Sequence, residues 1–162
     1  MILLSIDQSL NSTGAVLWNG SVEEWRLFKP PKGLETVIKI RWIIDELRTY
    51  ILQKSVEYVV IESLPYGANS TSVRPLAALY YFIYNLCLDL QIPFTEANVS
   101  AVKKHATGSG KAKKEQMIEQ LRIDNPKLYK EIVEVGVKKT TGLADLADAY
   151  FIGKFFNDRS QQ

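Results

Sequence analysis

Hydrophobic positions fall first in short runs and later in long stretches with a period of three to four. Residues 2–6 form a short apolar run that predicts a buried strand. Residues 13–18 predict a second strand, and the Asn19-Gly20 pair that closes it is a type I′ hairpin signal. Residues 22–28 predict a third, after which Lys29-Pro30-Pro31-Lys32-Gly33 breaks the pattern. Over residues 34–52, Val37, Ile40, Ile43, Ile44, Leu47 and Ile51 recur as one face of a helix requires. Residues 58–61 then read as a strand buried on both faces, and 63–72 as a polar loop containing Gly and Pro. Residues 73–90 predict a helix apolar over most of its circumference, and 93–95 a brief strand. Helices are expected at about 100–105, 112–121, 126–135 and 143–156. This order predicts an α/β fold: a three-stranded meander joined to parallel strands in a mixed five-stranded sheet, with helices on both faces.

The chain has 162 residues, enough for one domain with a full core. No repeat, low-complexity tract or linker divides it, so residues 1–158 are expected to form one domain, with 159–162 as a tail. Hydrophobic residues at 46% and charged ones at 23% exclude a disordered chain. The uncharged apolar stretch between Arg74 and Asp89, 14 residues, is short of the ~20 a membrane helix needs. The start shows no basic segment and hydrophobic core of a signal peptide. Cys87 is the sole cysteine and cannot form an internal disulfide, which fits a reducing compartment, with the cytoplasm expected, or indifference to redox state. A net charge of +2 leaves the partner open.

Four carboxylates narrow the choice. Asp7 and Glu62 each follow a predicted strand directly, and if those strands run parallel and adjacent, both emerge at the carboxyl edge where α/β sheets bind ligands. The alternative is that each merely ends its strand in solvent. Asp145 and Asp148 stand three apart, so they share one face of a helix otherwise apolar nearly all round. An exposed acidic stripe favoured by the helix dipole is the competing explanation. Packed against the sheet, two such charges need a compensating cation. Together the four oxygen donors suit a pair of hard cations such as Mg²⁺, with Mn²⁺ as a substitute, and two such ions can drive phosphodiester hydrolysis. His105 is the only histidine, and Cys87 reads as core packing, so no other catalytic set competes.

A basic segment lies between Glu96 and Glu115, where Lys103, Lys104, Lys111, Lys113 and Lys114 occur without an acid. Interrupted by Gly108-Ser109-Gly110, it reads as a flexible segment suited to phosphate contacts. Its Gly-Ser-Gly-Lys imitates a nucleotide-binding loop, but His105 and Ala112 stand where that motif needs Gly and Ser or Thr. The aromatic cluster Tyr80, Tyr81, Phe82 and Tyr84 leaves the 73–90 helix as either a central core helix or a face for a second subunit.

Four ordered blocks carry a family resemblance: residues 6–14, 60–63, 102–117 with its Lys103, Lys104 and Gly108 to Met117, and 144–149. Together they resemble the RuvC-type Holliday-junction resolvases of the ribonuclease-H-like superfamily, in a compact form like that of bacteriophage members. The resemblance implies a ribonuclease-H-like fold and a metal-dependent, structure-selective DNA endonuclease acting on four-way and other branched DNA. Paired nicks would leave 5′-phosphate and 3′-hydroxyl ends. It further implies that Asp7, Glu62, Asp145 and Asp148 hold two Mg²⁺ ions, that Lys114 and Lys103 serve the scissile phosphate, and that the protein is a homodimer matching the junction's two-fold symmetry. The 73–90 helix is the expected dimer face. Two departures stand out: Gln8-Ser9 replace the family's common Pro-Gly, and Pro65 precedes Tyr66 where an aromatic wedge against DNA is usual. A nuclease for RNA–DNA hybrids or structured RNA is the nearest alternative. A silent branched-DNA binder is the next, and a sugar-kinase-like phosphotransferase is disfavoured by length.

Overall fold

A computed structural model describes residues 1–64 and 73–160. Five strands and six helices follow the expected order: β1 (Ile2–Asp7), β2 (Thr13–Asn19), β3 (Ser21–Phe28), α1 (Thr36–Gln53), β4 (Tyr58–Glu62), α2 (Val73–Asp89), β5 (Phe94–Ala97), α3 (Val99–Thr107), α4 (Lys114–Asp124), α5 (Pro126–Glu134) and α6 (Ala144–Ser160). The sheet order is β3-β2-β1-β4-β5, with β1 antiparallel to β2 and parallel to β4. The mixed sheet is therefore as expected, and its two central strands are the ones that end in Asp7 and Glu62.

Alternation along those strands divides the core in two. Leu4, Ile6, Val59 and Ile61 face α1 and α2, where Ile43, Leu47, Leu79 and Ile83 cover them. Leu3 and Val60 face the opposite side, packed beneath α6 and α4. By the same period of two, Ser5, Asp7 and Glu62 also point toward α6. Side-chain direction at the site is thus fixed by the pattern that buries the strands.

Helix α6 lies unusually close to the sheet because two glycines make room. A Cβ on Gly14 would stand 2.6 Å from the Asp145 carbonyl oxygen, and one on Gly153 would collide with the Trp18 indole nitrogen. A buried relay fixes the helix's register: Trp18 Nε1 donates to Ser5 Oγ at 2.9 Å, and Ser5 Oγ donates to the Ala149 carbonyl at 2.7 Å. Burial in a low-dielectric core makes losing either partner costly.

Three local expectations are corrected. The β2–β3 connection is not a type I′ turn, which needs positive φ at both central residues. Gly20 alone takes one, at 75°, and a register shift at Leu17/Trp18 absorbs the rest of the bend. The basic segment is a hydrogen-bonded corner rather than a flexible loop. Gly108 closes α3 in a left-handed cap (φ 82°) onto the Lys104 carbonyl, Thr107 Oγ accepts from Ser109 N, and Lys113 N donates to Gln116 Oε1. Its Gly-Ser-Gly-Lys follows a helix, so it lacks the strand a nucleotide-binding loop requires. Third, a π-helical turn (Lys139–Leu143) leads into α6. The extra residue of a π turn gives no periodic signal in sequence, and such turns recur at functional sites.

Candidate active site

The parallel β1–β4 register ends on the Ile6–Ile61 pair, so Asp7 and Glu62 stand side by side one step further, at the carboxyl edge. Gln8 completes the pairing with its side chain. Its Nε2 donates to the Glu62 carbonyl at 2.6 Å and its Oε1 accepts from the Glu62 amide at 3.2 Å. Only 3% of Gln8 is exposed, so these bonds lie in a protected position and act as an extra rung of the sheet. A residue seen in the sequence only as a departure therefore has a definite place.

Asp145 and Asp148 come from the first turns of α6, which Gly14 allows against the end of β2. The four carboxyls feel one another strongly. Burial pushes Asp7 well above the usual carboxylate range, and the fields of Glu62, Asp148 and Asp145 push it further. Burial and then Asp148 raise Glu62 to about 7, offset in part by Lys103. Asp148 is raised to about 6 by burial, against the pull of Lys103 and the added push of Asp145. Burial also raises Asp145, while Ser12, Lys114 and Lys29 offset the rise. Buried like charges clustered this closely are a functional signature more than a folding device.

These residues fit a hard divalent cation. Carboxylate oxygens are its preferred donors, and the three nearby ammonium groups, Lys29, Lys103 and Lys114, leave all four acids still pushed upward. Among the described residues, no three His, Cys, Asp or Glu side chains close into a formed metal cage. The carboxylates are therefore gathered at one edge and coupled through their fields, without converging on a single point.

The expected lysines divide. Lys103, on α3, and Lys114, at the start of α4, both act on the carboxylates. Lys104, Lys111 and Lys113 are exposed on the α3–α4 corner beside them. Tyr66 lies outside the described residues. Lys29 is a contributor that sequence reading missed, because the Pro-Pro break around it marked a loop and nothing more. Ser12 is another: its buried hydroxyl lies beside Asp145, yet no hydrogen bond of proper geometry satisfies it. Cys87 is fully buried with its thiol pushed up to about 11, in keeping with core packing, and His105 pairs with Asp158 at 2.8 Å and meets Phe155 edge to face.

Comparison with known proteins now adds to this geometry. Residues 30–141 match the family profile described as Crossover junction endodeoxyribonuclease RuvC. That stretch contains Glu62, Lys103 and Lys114, whereas Asp7, Asp145 and Asp148 lie outside it and are assembled by the fold. A crossover junction endodeoxyribonuclease RuvC from Chloroherpeton thalassium is 28% identical over 137 residues, covering 79% of this chain and 74% of the relative. Thermus thermophilus RuvC superposes with a TM-score of 0.67 at 15% identity, over 99% of this chain and 97% of that one. Fowlpox virus resolvase, solved with substrate Holliday junction DNA, gives 0.68 at 13% identity over 100% of each chain. The yeast mitochondrial Holliday junction resolvase gives 0.67 at 14% identity, over 93% of this chain and 75% of that one. At such identities these structures establish the fold, which is ribonuclease-H-like.

Proposed function

This chain belongs to the RuvC family of crossover junction endodeoxyribonucleases, and on that premise we propose that it cuts four-way DNA junctions at a divalent-metal centre held by Asp7, Glu62, Asp145 and Asp148. Membership makes the protein a structure-selective, junction-resolving endonuclease. The finer reading rests chiefly on one observation: four carboxylates from three separate segments meet at one sheet edge, where burial holds all of them above their ordinary range and repulsion from neighbouring carboxylates adds to it at Asp7, Glu62 and Asp148.

Two Mg²⁺ ions bound there would supply an activated water and a counter-charge for the leaving oxygen. The chain's own residues do the rest. Asp7, most deeply buried of the four and flanked by the other three, is the group best placed to serve both ions. Gln8 holds the Asp7–Glu62 spacing by bonding the Glu62 backbone from the opposite strand. Lys114 faces Asp145 and Asp148 and steadies the charge of the scissile phosphate, while Lys103 positions the backbone from the Glu62 side. Cleavage by this chemistry leaves 5′-phosphate and 3′-hydroxyl ends.

A homodimer presents two such sites to a two-fold symmetric junction. Support comes from the helix face opposite the active site. On α2, Tyr81, Phe82 and Leu88 are exposed at 63%, 54% and 59%, and on α1 Val37 is exposed at 72%. Val37 and Phe82 line one groove between these helices, and exposed apolar groups of this kind mark protein contacts. Among the described residues no helix is long and apolar enough to cross a membrane.

A substrate panel tests this reading. Four-way, three-way, flap and linear DNAs, together with an RNA–DNA hybrid, are incubated with Mg²⁺, Mn²⁺ or EDTA. Paired nicking of the four-way junction, silent in EDTA, is the expected result. Preferential cutting of the hybrid would overturn it in favour of a ribonuclease.

A further inference from the structure

Beside Asp145 the surface opens into a cleft of about 720 Å³ whose lining does not include Lys103. Its charged lining is five lysines, Lys29, Lys32, Lys39, Lys114 and Lys138, against the single carboxylate of Asp145. They come from separate segments: the end of β3 and the turn after it, the first turns of α1, the start of α4, and the approach to the π-helical turn. The protein as a whole carries only +2, so this concentration is local. Like charges brought together by folding repel one another, and a cleft of one sign concentrates its field on an incoming ion of the other.

The walls are polar and set in place. Pro30 and Pro31, with φ fixed by their rings, stiffen the segment that carries Lys29 and Lys32 along the cleft. Lys39 Nζ donates to Asn11 Oδ1 at 3.0 Å, which draws it toward the loop between β1 and β2. Ser12 lines the same cleft; the residue is only 6% exposed, and its hydroxyl, beside Asp145, makes no hydrogen bond of proper geometry among the described residues. A buried hydroxyl without a well-formed bond beside a ring of ammonium groups suits a phosphate oxygen, which accepts from both. Lys114 and Asp145 belong to the cleft and to the carboxylate site alike, so the two are continuous.

We infer that this cleft is a second phosphate-binding path, which holds the backbone of the cut DNA strand next to the scissile phosphate through Lys32, Lys39, Lys138 and the Ser12 hydroxyl. The α3–α4 corner with Lys103 holds the strand on the other side of the carboxylates, and Lys29 and Lys114 line the passage between. The inference rests on the junction-nuclease reading and adds where the strand runs. The lysines on this path lie in segments with no basic run, so the sequence pattern did not single them out.

Binding to a labelled four-way junction in EDTA is measured against salt for the wild type and for Lys32→Gln, Lys39→Gln and Lys138→Gln, singly and combined. Removing one lysine–phosphate interaction lowers the slope of log K against log salt by about 0.9, so the triple variant should show a slope smaller by about 2.7. Its affinity at 0.15 M salt should fall about 10–100-fold. Lys127→Gln and Lys130→Gln, on α5, should leave the slope unchanged. Uncharged methylphosphonates placed beside the scissile phosphate should weaken the wild type in the same way and have little further effect on the triple variant. Full additivity between the two changes, or an unaltered slope in the triple variant, overturns the cleft assignment. If the wild-type protein neither binds nor nicks junctions, the junction reading fails and the inference falls with it. Normal wild-type behaviour with unchanged slopes overturns the cleft alone.

Discussion

Replacing Asp148 by Asn should make the metal-free protein more stable while it disables the site. The carboxyl is held at about 6 instead of its ordinary 3.8, chiefly by burial. The folded state therefore keeps a proton that the unfolded chain releases, and folding loses stability as pH rises from about 4 to about 6. At 1.36 kcal/mol for each pKa unit, the displacement from 3.8 to about 6 amounts to about 3 kcal/mol once the group is fully ionised. About half of that applies at pH 5. Asn matches the shape and carries no charge, so the variant should gain about 2–3 kcal/mol at pH 8, about half as much at pH 5, and little near pH 4. Urea denaturation in EDTA at these pH values reads the gain directly as a higher midpoint at unchanged slope. Glu62→Gln should behave alike with its window shifted upward, since Glu62 is held at about 7. Mg²⁺ should reverse the order, because a cation binds the wild-type cluster and raises its stability by mass action. An unchanged midpoint at pH 8, or an equal gain at every pH, would refute the claim that burying the ionised carboxylate costs the metal-free fold stability.

Other expectations follow from neighbouring contacts. Gly14→Ala puts a Cβ 2.6 Å from the Asp145 carbonyl, so it should shift the start of α6 and reduce nicking at least tenfold, with a smaller effect on DNA binding in EDTA. Gln8→Leu removes the side-chain rung onto Glu62 and should cost about 1–3 kcal/mol in urea denaturation and slow nicking. Gly153→Ala collides with the Trp18 indole and should lower stability by about 1–3 kcal/mol through displacement of α6. Phe82→Glu, on the exposed face of α2, should turn a dimer into a monomer by light scattering at micromolar concentration; an unchanged mass would place the dimer contact elsewhere.

Much of this was legible because burial leaves a period. The apolar runs that end directly at Asp7 and Glu62 and the apolar surround of Asp145 and Asp148 point all four carboxylates to one sheet edge from the sequence alone. Their exact approach was not legible, since it depends on Gly14 and Gly153, and a glycine shows only that room exists, not which backbone will fill it. Gln8 was hidden for a related reason. Its amide replaces a backbone hydrogen bond between strands far apart in sequence, which local pattern does not encode. The π-helical turn escaped because one inserted residue has no period to reveal it, and Lys29, Lys32, Lys39 and Lys138 escaped because their cleft forms only when separate segments meet. Tyr66, proposed from resemblance as a wedge against DNA, lies outside the described residues.

The central claim is that Asp7 organises the chemistry and not the grip on DNA. Asp7→Asn should bind a four-way junction in EDTA as tightly as the wild type or more tightly, since a buried negative charge beside the phosphates is gone. With Mg²⁺ it should yield no paired nicks over a time in which the wild type resolves the junction completely. Nicking by Asp7→Asn at the wild-type rate would contradict the account.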